Sequence, residues 1–330
     1  MTTASAPGKI ILFGEHAVVY GRPALAVPVT QVQAMATVTL LSTDSVTDKR
    51  VGTDSGGENW QRRIRIEAPD IRLFSTLHSL LSNRRNPHPL AAAIISVFST
   101  LNVGSPPSMT IHISSTIPVA AGLGSGAAVS VAIIRALSAF LGQPLHEAEI
   151  SALAYEVEKL HHGTPSGIDN TVITYARPVY FVKDRPIETF CVDTPFTIVI
   201  GDTGIRAPTK ESVGAVRSLW QAGPARWEPV FDGIGKIVLK AREAIETGEI
   251  SSLGPLMDEN QVLLRELTVS SPELDRLVDV ARRSGALGAK LSGGGRGGNM
   301  IALVRQEAAE SVAKALKSAG VRHTIVTTIQ

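Results

Sequence analysis

The alternation of apolar and polar positions divides the chain into short strands and longer helices. Met109, Ile111 and Ile113 alternate with polar neighbours, the period of a half-buried strand. Residues 127–141 are small, apolar and free of Gly and Pro, which predicts a buried helix closed by Gly142 and Pro144. Residues 10–13 form an apolar run stopped by Gly14, and 24–29 and 34–41 read as two further strands. Residues 90–101 predict a mostly apolar helix. In 146–160, Ile150, Leu153, Ala154, Val157 and Leu160 mark one face of an amphipathic helix, with Gly163 at its C′ position.

Residues 179–182 and 196–200 read as strands, and Pro208 with Thr209 starts a helix carrying Val213, Val216 and Trp220. Three helices follow, striped by Ile234, Ile237, Val238, Ala241 and Ile245, then by Leu253, Leu256, Met257, Leu263, Leu264 and Leu267, then by Leu274, Leu277, Val278 and Ala281. The third opens on Ser271 and Pro272, a cap followed by a proline. A strand at 300–304, a helix carrying Ala308, Val312, Leu316 and Ala319, and a β-rich tail at 324–329 finish the chain. Residues 42–63 have no sustained period and read as a surface loop or a loosely paired hairpin. Arg62, Arg63 and Arg65 there suit a solvated strand face, and 83–89 is another loop.

With 330 residues, 44% hydrophobic and 19% charged, the chain can bury a large core and divides naturally into two domains. A net charge of +2 implies neither a nucleic-acid nor a membrane partner. A lone Cys191 rules out an internal disulfide and suits a reducing cytoplasm. No leader-like pattern is read at the N-terminus, and no apolar run reaches the ~20 residues that span a bilayer.

Candidate chemistry gathers around two glycine-rich stretches. Between the strand near residue 111 and the helix near 127 lie Gly122, Gly124, Ser125 and Gly126. A helix starting near Ser125 would aim its unpaired N–H groups and positive dipole end back at this loop, which makes a phosphate cradle. A plain Gly/Ser turn is the competing reading. The spacing is neither that of a Walker A loop nor the GxGxxG of dinucleotide folds. The second stretch runs from Ala289 through Gly293, Gly294 and Gly295 to Asn299, beside a core strand. So many glycines there require close backbone approach or very tight turning. Glu15 and His16 stand where a strand ends, either facing a crevice or as ordinary turn residues. Pro165, Gly167 and Asp169 make a turn with an Asx cap equally well, and Thr209 is a natural helix cap.

The pattern Pro118-x-x-x-Gly122-Leu123-Gly124-Ser125-Gly126-Ala127-Ala128 resembles the ATP loop of the GHMP small-molecule kinases. The family form is PxxxGLGSSAA, so Gly126 stands where a serine that helps hold Mg²⁺ is usual. The opening PGKxxLFGEHxVVYG and the segment His162-Gly-x-Pro-Ser-Gly-x-Asp-Asn170 resemble motifs of the family's mevalonate-phosphorylating branch. The second glycine-rich stretch resembles its third motif, KxTGAGGGGC, with Arg296 and Asn299 as departures.

The resemblance implies an α+β, two-domain GHMP kinase fold. A ribosomal-protein-like N-terminal domain would span 1–190 and a ferredoxin-like C-terminal domain 191–330. It implies ATP bound by Pro118, Gly122, Leu123, Gly124, Ser125, Gly126, Ala127, Gly293 and Gly294. Mg²⁺ would sit on Glu158 and Ser125, with Asp169 and Lys9 as the catalytic pair. The small-molecule substrate would be mevalonate, contacted by Glu15, His16 and Thr209 and phosphorylated on its 5-hydroxyl. Another small alcohol, phosphomevalonate, or a catalytically silent ligand-binding relative are the alternatives. The quaternary state is open, a homodimer included.

Overall fold

Two sheets carry the chain in a computed structural model, which describes residues 1–41, 59–82, 88–118, 121–162, 165–186 and 188–330. The loops expected at 42–58 and 83–87 and the cap at Gly163 lie outside the described residues.

The first sheet is organised on its longest strand. β1 (Thr2–Phe13) pairs antiparallel along one edge of β2 (Ala24–Leu40). The other edge of β2 is shared, after β3 (Ile64–Ala68) and β4 (Leu73–Thr76), by β5 (Met109–Ser115) and β6 (Val179–Phe181), the latter leading to β7 (Glu188–Thr189). β3 adds to β5 in parallel and β4 closes the edge.

The two strands expected at 24–29 and 34–41 are therefore one. The β1–β2 register jumps between Pro7↔Gln33 and Gly8↔Val29, so residues 30–32 form a bulge that the sequence pattern reads as a break. Arg62 and Arg63 also depart from expectation: they lie in a 3-10 turn, Asn59–Arg63, and only Arg65 occupies the exposed face of β3.

Helices α1 (Leu77–Leu80), α2 (Pro89–Thr100), α3 (Ser125–Phe140), α4 (Glu147–His162) and α5 (Ile168–Tyr175) belong to this half. α3 is central, lying on β1 and β2 and against α2, α4 and α5. Buried Ala127, Ala128, Ala132 and Ala136 let it approach closely, and Val131, Ile133, Ile134 and Leu137 fill the gaps. Each of those larger side chains contributes about 1.5–3 kcal/mol by leaving water.

The second sheet comprises β8 (Phe196–Asp202), β9 (Gly288–Ser292), β10 (Asn299–Val304) and β11 (His323–Ile329) in the order β11-β8-β10-β9. Counted within the sheet, that is 4-1-3-2, all antiparallel, the ferredoxin-like plan. β8, β9 and β10 are buried along their whole length, so they read as continuous apolar runs. Helices α6 (Thr209–Ala222), α7 (Pro224–Thr247), α8 (Leu253–Glu266) and α9 (Pro272–Arg283) lie between β8 and β9, and α10 (Ala309–Ser318) between β10 and β11. Their ends follow the local chemistry: Ser271 accepts from the Leu274 amide, and Gly248 closes α7 in the left-handed region.

Ile198, Ile200, Ile301 and Ile329 of the second sheet join the same buried cluster as Leu12, Val27 and Ile113 of the first. Among the described residues no helix is long and apolar enough to cross a membrane.

β9 is also pinned from below by α8. A methyl group on Gly254 would fall 2.3 Å from the Leu287 carbonyl oxygen, and one on Gly288 would fall 2.2 Å from that of Gly254. Gly254→Ala must therefore push α8 off β9. The expected loss is about 2 kcal/mol, the usual cost of overpacking, read as a Tm lowered by about 3 °C. Gly214→Ala, in α6 with nothing within 4 Å of the new methyl, should be neutral or slightly stabilising. Equal melting of the two variants would contradict this packing.

Candidate active site

Lys9 is held twice. Its amide donates to the Leu123 carbonyl at 3.0 Å, tying β1 to the first glycine-rich loop. Its buried side chain reaches Asp169, with Nζ 2.9 Å from Oδ1. Asp169 lies in the first turn of α5, behind Gly167 in the left-handed cap position at φ 88°, and its side chain keeps 32% exposure. The α5 dipole favours a negative charge there. Asp169 is thus a helix residue facing Lys9, and its Asx-cap alternative is not what forms.

Gly124, at φ 73° and ψ 30°, is the cap of α3, and no side chain caps that end. Ser125 is the first helical residue, so its hydroxyl is not spent as a cap. The first N–H groups of α3 consequently open toward the loop. A methyl group on Gly124 would point toward the Lys9–Asp169 pair: 2.7 Å from Ile173 Cδ1, 3.1 Å from Lys9 Cγ and 3.4 Å from Asp169 Oδ2. Glu158 on α4 reaches the same turn, its Oε1 3.4 Å from where a Gly126 methyl would stand. Burial, aided by the nearby charge of Asp169 and opposed by Lys9, pushes the Glu158 carboxyl up to about 7.

Glu15 and His16 are not turn residues in solvent: they are 1% and 5% exposed. Glu15 forms a wholly buried ion pair with Lys290 of β9, whose Nζ also donates to the Leu291 carbonyl at 2.6 Å. Burial pushes the Glu15 carboxyl up and the Lys290 ammonium down, and their mutual attraction opposes both shifts. His16 sits at φ 61° with Nε2 3.1 Å from the Gly294 carbonyl oxygen. A carbonyl only accepts, so Nε2 carries the proton and Nδ1 is bare. Burial lowers the His16 pKa to about 4, which makes the ring neutral at pH 7. Neither His16 Nδ1 nor Glu15 Oε2 has a hydrogen-bond partner among the described residues. The 3-10 turn that follows, Ala17–Tyr20, is braced by Arg22, which bonds the Tyr20 carbonyl at 2.7 Å and Asp232 of α7 at 2.9 Å.

The second glycine-rich stretch joins β9 to β10 and faces both groups. A Gly294 methyl would lie 3.1 Å from Thr209 Oγ1, so Gly294 meets His16 and Thr209, the expected substrate side. Thr209 does not cap α6, since Pro208 occupies that position. Gly293 lies at φ 89° beside open space. The contact of this hairpin with the first loop comes instead from Asn299, whose Nδ2 donates to the Ala121 carbonyl. Ser292 Oγ donates to the Ile11 carbonyl at 2.7 Å. Pro118 precedes the loop, and Leu123 and Ala127 turn their side chains into the core, leaving backbone to face a ligand.

Lys290 and Ser292 beside the candidate site have no place in the sequence reading, and Asn299 enters it only as a departure from the motif. The signal was present: a lysine inside Gly288–Ser292, in a strand otherwise fit only for a core. A separate cleft of about 500 Å³, lined by Tyr20, Lys183, Arg217, Trp220 and Glu228 among others, contains none of these site residues.

A family model described as GHMP kinases N terminal domain matches residues 90–177, and one described as GHMP kinases C terminal matches 241–322. The chain belongs to the GHMP kinase family. It is an ATP-dependent small-molecule kinase with the two-domain α+β fold of that family. The mevalonate kinase of Thermococcus sibiricus is 39% identical over 331 residues, covering 96% of this chain and 93% of that one. That of Pyrococcus horikoshii is 39% identical over 338 residues, with coverages of 96% and 92%. The solved structure of L. major mevalonate kinase in complex with R-mevalonate superposes with a TM-score of 0.81 at 27% identity, covering 100% of this chain and 96% of that one.

In this GHMP kinase a side chain added at Gly124 would press on Ile173 and on the Lys9–Asp169 pair. Gly124→Ala should push on Ile173 and on the Lys9 side chain beside Asp169 and lower kcat by roughly 10²-fold, the cost of a small misplacement at a reacting centre. Gly142→Ala shares the positive φ of 76° but has nothing within 4 Å, so it controls for backbone strain alone. A coupled ADP-release assay on both variants checks this. Similar losses in the two would assign the effect to strain rather than to displacement of the pair.

Proposed function

We propose that this GHMP kinase transfers the γ-phosphoryl group of ATP to the 5-hydroxyl of mevalonate. The observation that carries the reading is the Lys9–Asp169 pair set against the first turn of α3. The names of its relatives supply the substrate. The triphosphate lies along the N–H groups of residues 122–127. The mevalonate hydroxyl lies at Asp169, which orients it and accepts its proton as oxygen attacks the γ-phosphorus and the bond to the β–γ bridging oxygen breaks. Lys9 offsets charge on the transferred group and fixes the Asp169 carboxylate. Bare Nδ1 of His16 accepts from a substrate hydroxyl, and Thr209 contacts the substrate from α6.

Little covalent chemistry is asked of the protein; positioning and charge stabilisation supply the rate. The acidic pair beside the cradle fits a divalent cation, because a cation relieves both burial and like-charge repulsion at Glu158. Glu158 and the uncapped Ser125 hydroxyl are the side chains that would hold Mg²⁺, whose chemistry when bound is to offset phosphate charge. A phosphorylated substrate would need additional cations at the substrate end. Lys290 there is already neutralised by Glu15 and His16 is neutral, which leaves Arg296 as the nearby cation and favours mevalonate over its phosphate.

Asp169→Asn should leave ATP affinity within about twofold and lower kcat by at least ~10²-fold, the lower end of losing a general base. Calorimetry with ATP and turnover on mevalonate, phosphomevalonate, homoserine and galactose test both the role and the substrate. Undiminished turnover would remove Asp169 from the chemistry, and preference for another alcohol would replace the substrate.

The raised Glu158 pKa gives a pH signature. Below about 7 the carboxyl holds a proton that a cation must displace. The Mg²⁺ needed for half-maximal rate should then rise toward low pH, by up to about tenfold per unit, and level off above that value. Glu158→Gln should raise the requirement at pH 8 and remove this part of the slope. An identical slope in parent and variant would take Glu158 away from the metal.

A further inference from the structure

We propose that Asn299, where the related motif carries cysteine, is a positioning residue of the nucleotide loop: it orients the Ala121–Gly122 peptide so that the Gly122 N–H faces the phosphates. This deepens the ATP reading of the loop and rests on it.

The side chain has a fixed base. Asn299 opens β10 in register with Ser292 of β9 on one side and Asp202 of β8 on the other, and it is 1% exposed. From there its Nδ2 donates to the Ala121 carbonyl, and the Gly122 methyl position lies 3.4 Å from the same nitrogen. The partner is a carbonyl, so the amide orientation is determined: nitrogen toward the loop, oxygen away. The oxygen, Oδ1, is buried with no partner among the described residues. A half-satisfied amide is a poor core residue, since an apolar side chain of the same shape would cost less there. The bond to Ala121 is what this side chain contributes.

The consequence follows from peptide geometry. A trans peptide points its C=O and the next residue's N–H in opposite directions. With the Ala121 carbonyl turned down onto Asn299, the Gly122 N–H turns up, away from the second sheet. The same logic operates two peptides further on. The Leu123 carbonyl is turned down onto the Lys9 amide at 3.0 Å, which turns the Gly124 N–H the opposite way. The cradle is thus set by two anchors beneath it, one from each sheet. The β9–β10 hairpin that supplies Asn299 also holds Glu15 through Lys290 and His16 through Gly294.

The test uses Asn299→Asp and Asn299→Ala. Aspartate keeps the shape but sets an acceptor against the Ala121 carbonyl, while alanine only removes atoms and so keeps the fold. Calorimetry should find ATP affinity lowered about tenfold or more in the Asp variant, the loss of one hydrogen bond to a charged phosphate. The Ala variant should lose several-fold. In kinetics the KM for ATP should rise while that for mevalonate stays within twofold. Hydrogen exchange on the ligand-free proteins should show faster exchange across residues 122–127 in the Ala variant. ATP affinity unchanged in folded Asn299→Ala, or both KM values rising together, overturns the proposal. Should the parent itself bind no ATP, the nucleotide reading falls, and the exchange rates alone then decide whether Asn299 holds the loop.

Discussion

A lysine and a glutamate with no solvent exposure join the two halves of this kinase. Moving either charge alone into such a site would be prohibitive, and even a pair recovers the loss only when its geometry is good and its remaining valences are filled. Lys290 meets that condition by also donating to the Leu291 carbonyl. Glu15 meets it only in part, because Oε2 is left without a partner among the described residues. The pair is therefore a registry device more than a source of stability: it specifies where β9 lies against the turn after β1. Once that is set, His16 can be held at φ 61°, since its ring bonds Gly294, four residues beyond Lys290 on the same hairpin.

From this registry follows the electrostatic layout of the cleft. At the proposed substrate end Lys290 is offset by Glu15 and His16 is kept neutral by burial, with the Arg296 guanidinium near enough to oppose its protonation. At the proposed nucleotide end two carboxylates share one lysine. Burial and the nearby Asp169 disfavour the charge on Glu158, and Lys9 opposes them only in part. The two ends call for different ligands, a polar one with few charges and a polyanion accompanied by a cation. That asymmetry is a better guide to which molecule binds where than the position of any cavity.

Much of this was legible in the sequence, and the exceptions share a cause. Helix boundaries with local chemistry, such as Ser271 before Pro272 or Gly248 after α7, were readable because caps and left-handed turns act over a few residues. The turn from the first glycine-rich loop into α3 at Ser125 was readable for the same reason. β2 was misread as two strands because a bulge at 30–32 interrupts the alternation without interrupting the strand. The burial of Glu15 could not be inferred locally, for its compensating charge is 275 residues away. The partner of Asn299 lies 178 residues earlier. Resemblance to a family named Asp169, Lys9 and Glu158 together, but only the fold shows that Gly124 is what lies between the loop and the first two of them.

The last question is why phosphoryl transfer is run from these elements at all. Little beyond placement separates a kinase from a protein that merely binds ATP and an alcohol, and placement errors near an ångström are costly. Each group proposed to act in the reaction is borne by a regular element, not by a free loop. Lys9 is inside β1, Asp169 and Glu158 are on α5 and α4, and the amides proposed to face phosphate begin α3. The one irregular component, the glycine-rich loop, is the one that must approach a ligand with bare backbone, and its carbonyls are bonded from below by Lys9 and Asn299. Flexibility that glycine introduces into the unfolded chain is thereby removed in the folded one by hydrogen bonds from two rigid strands. A loop free to choose its peptide orientations would have to order them on binding, and that entropy would be subtracted from ATP affinity. In the proposed reaction, holding them in advance leaves the binding energy available for alignment of the γ-phosphate with the hydroxyl at Asp169.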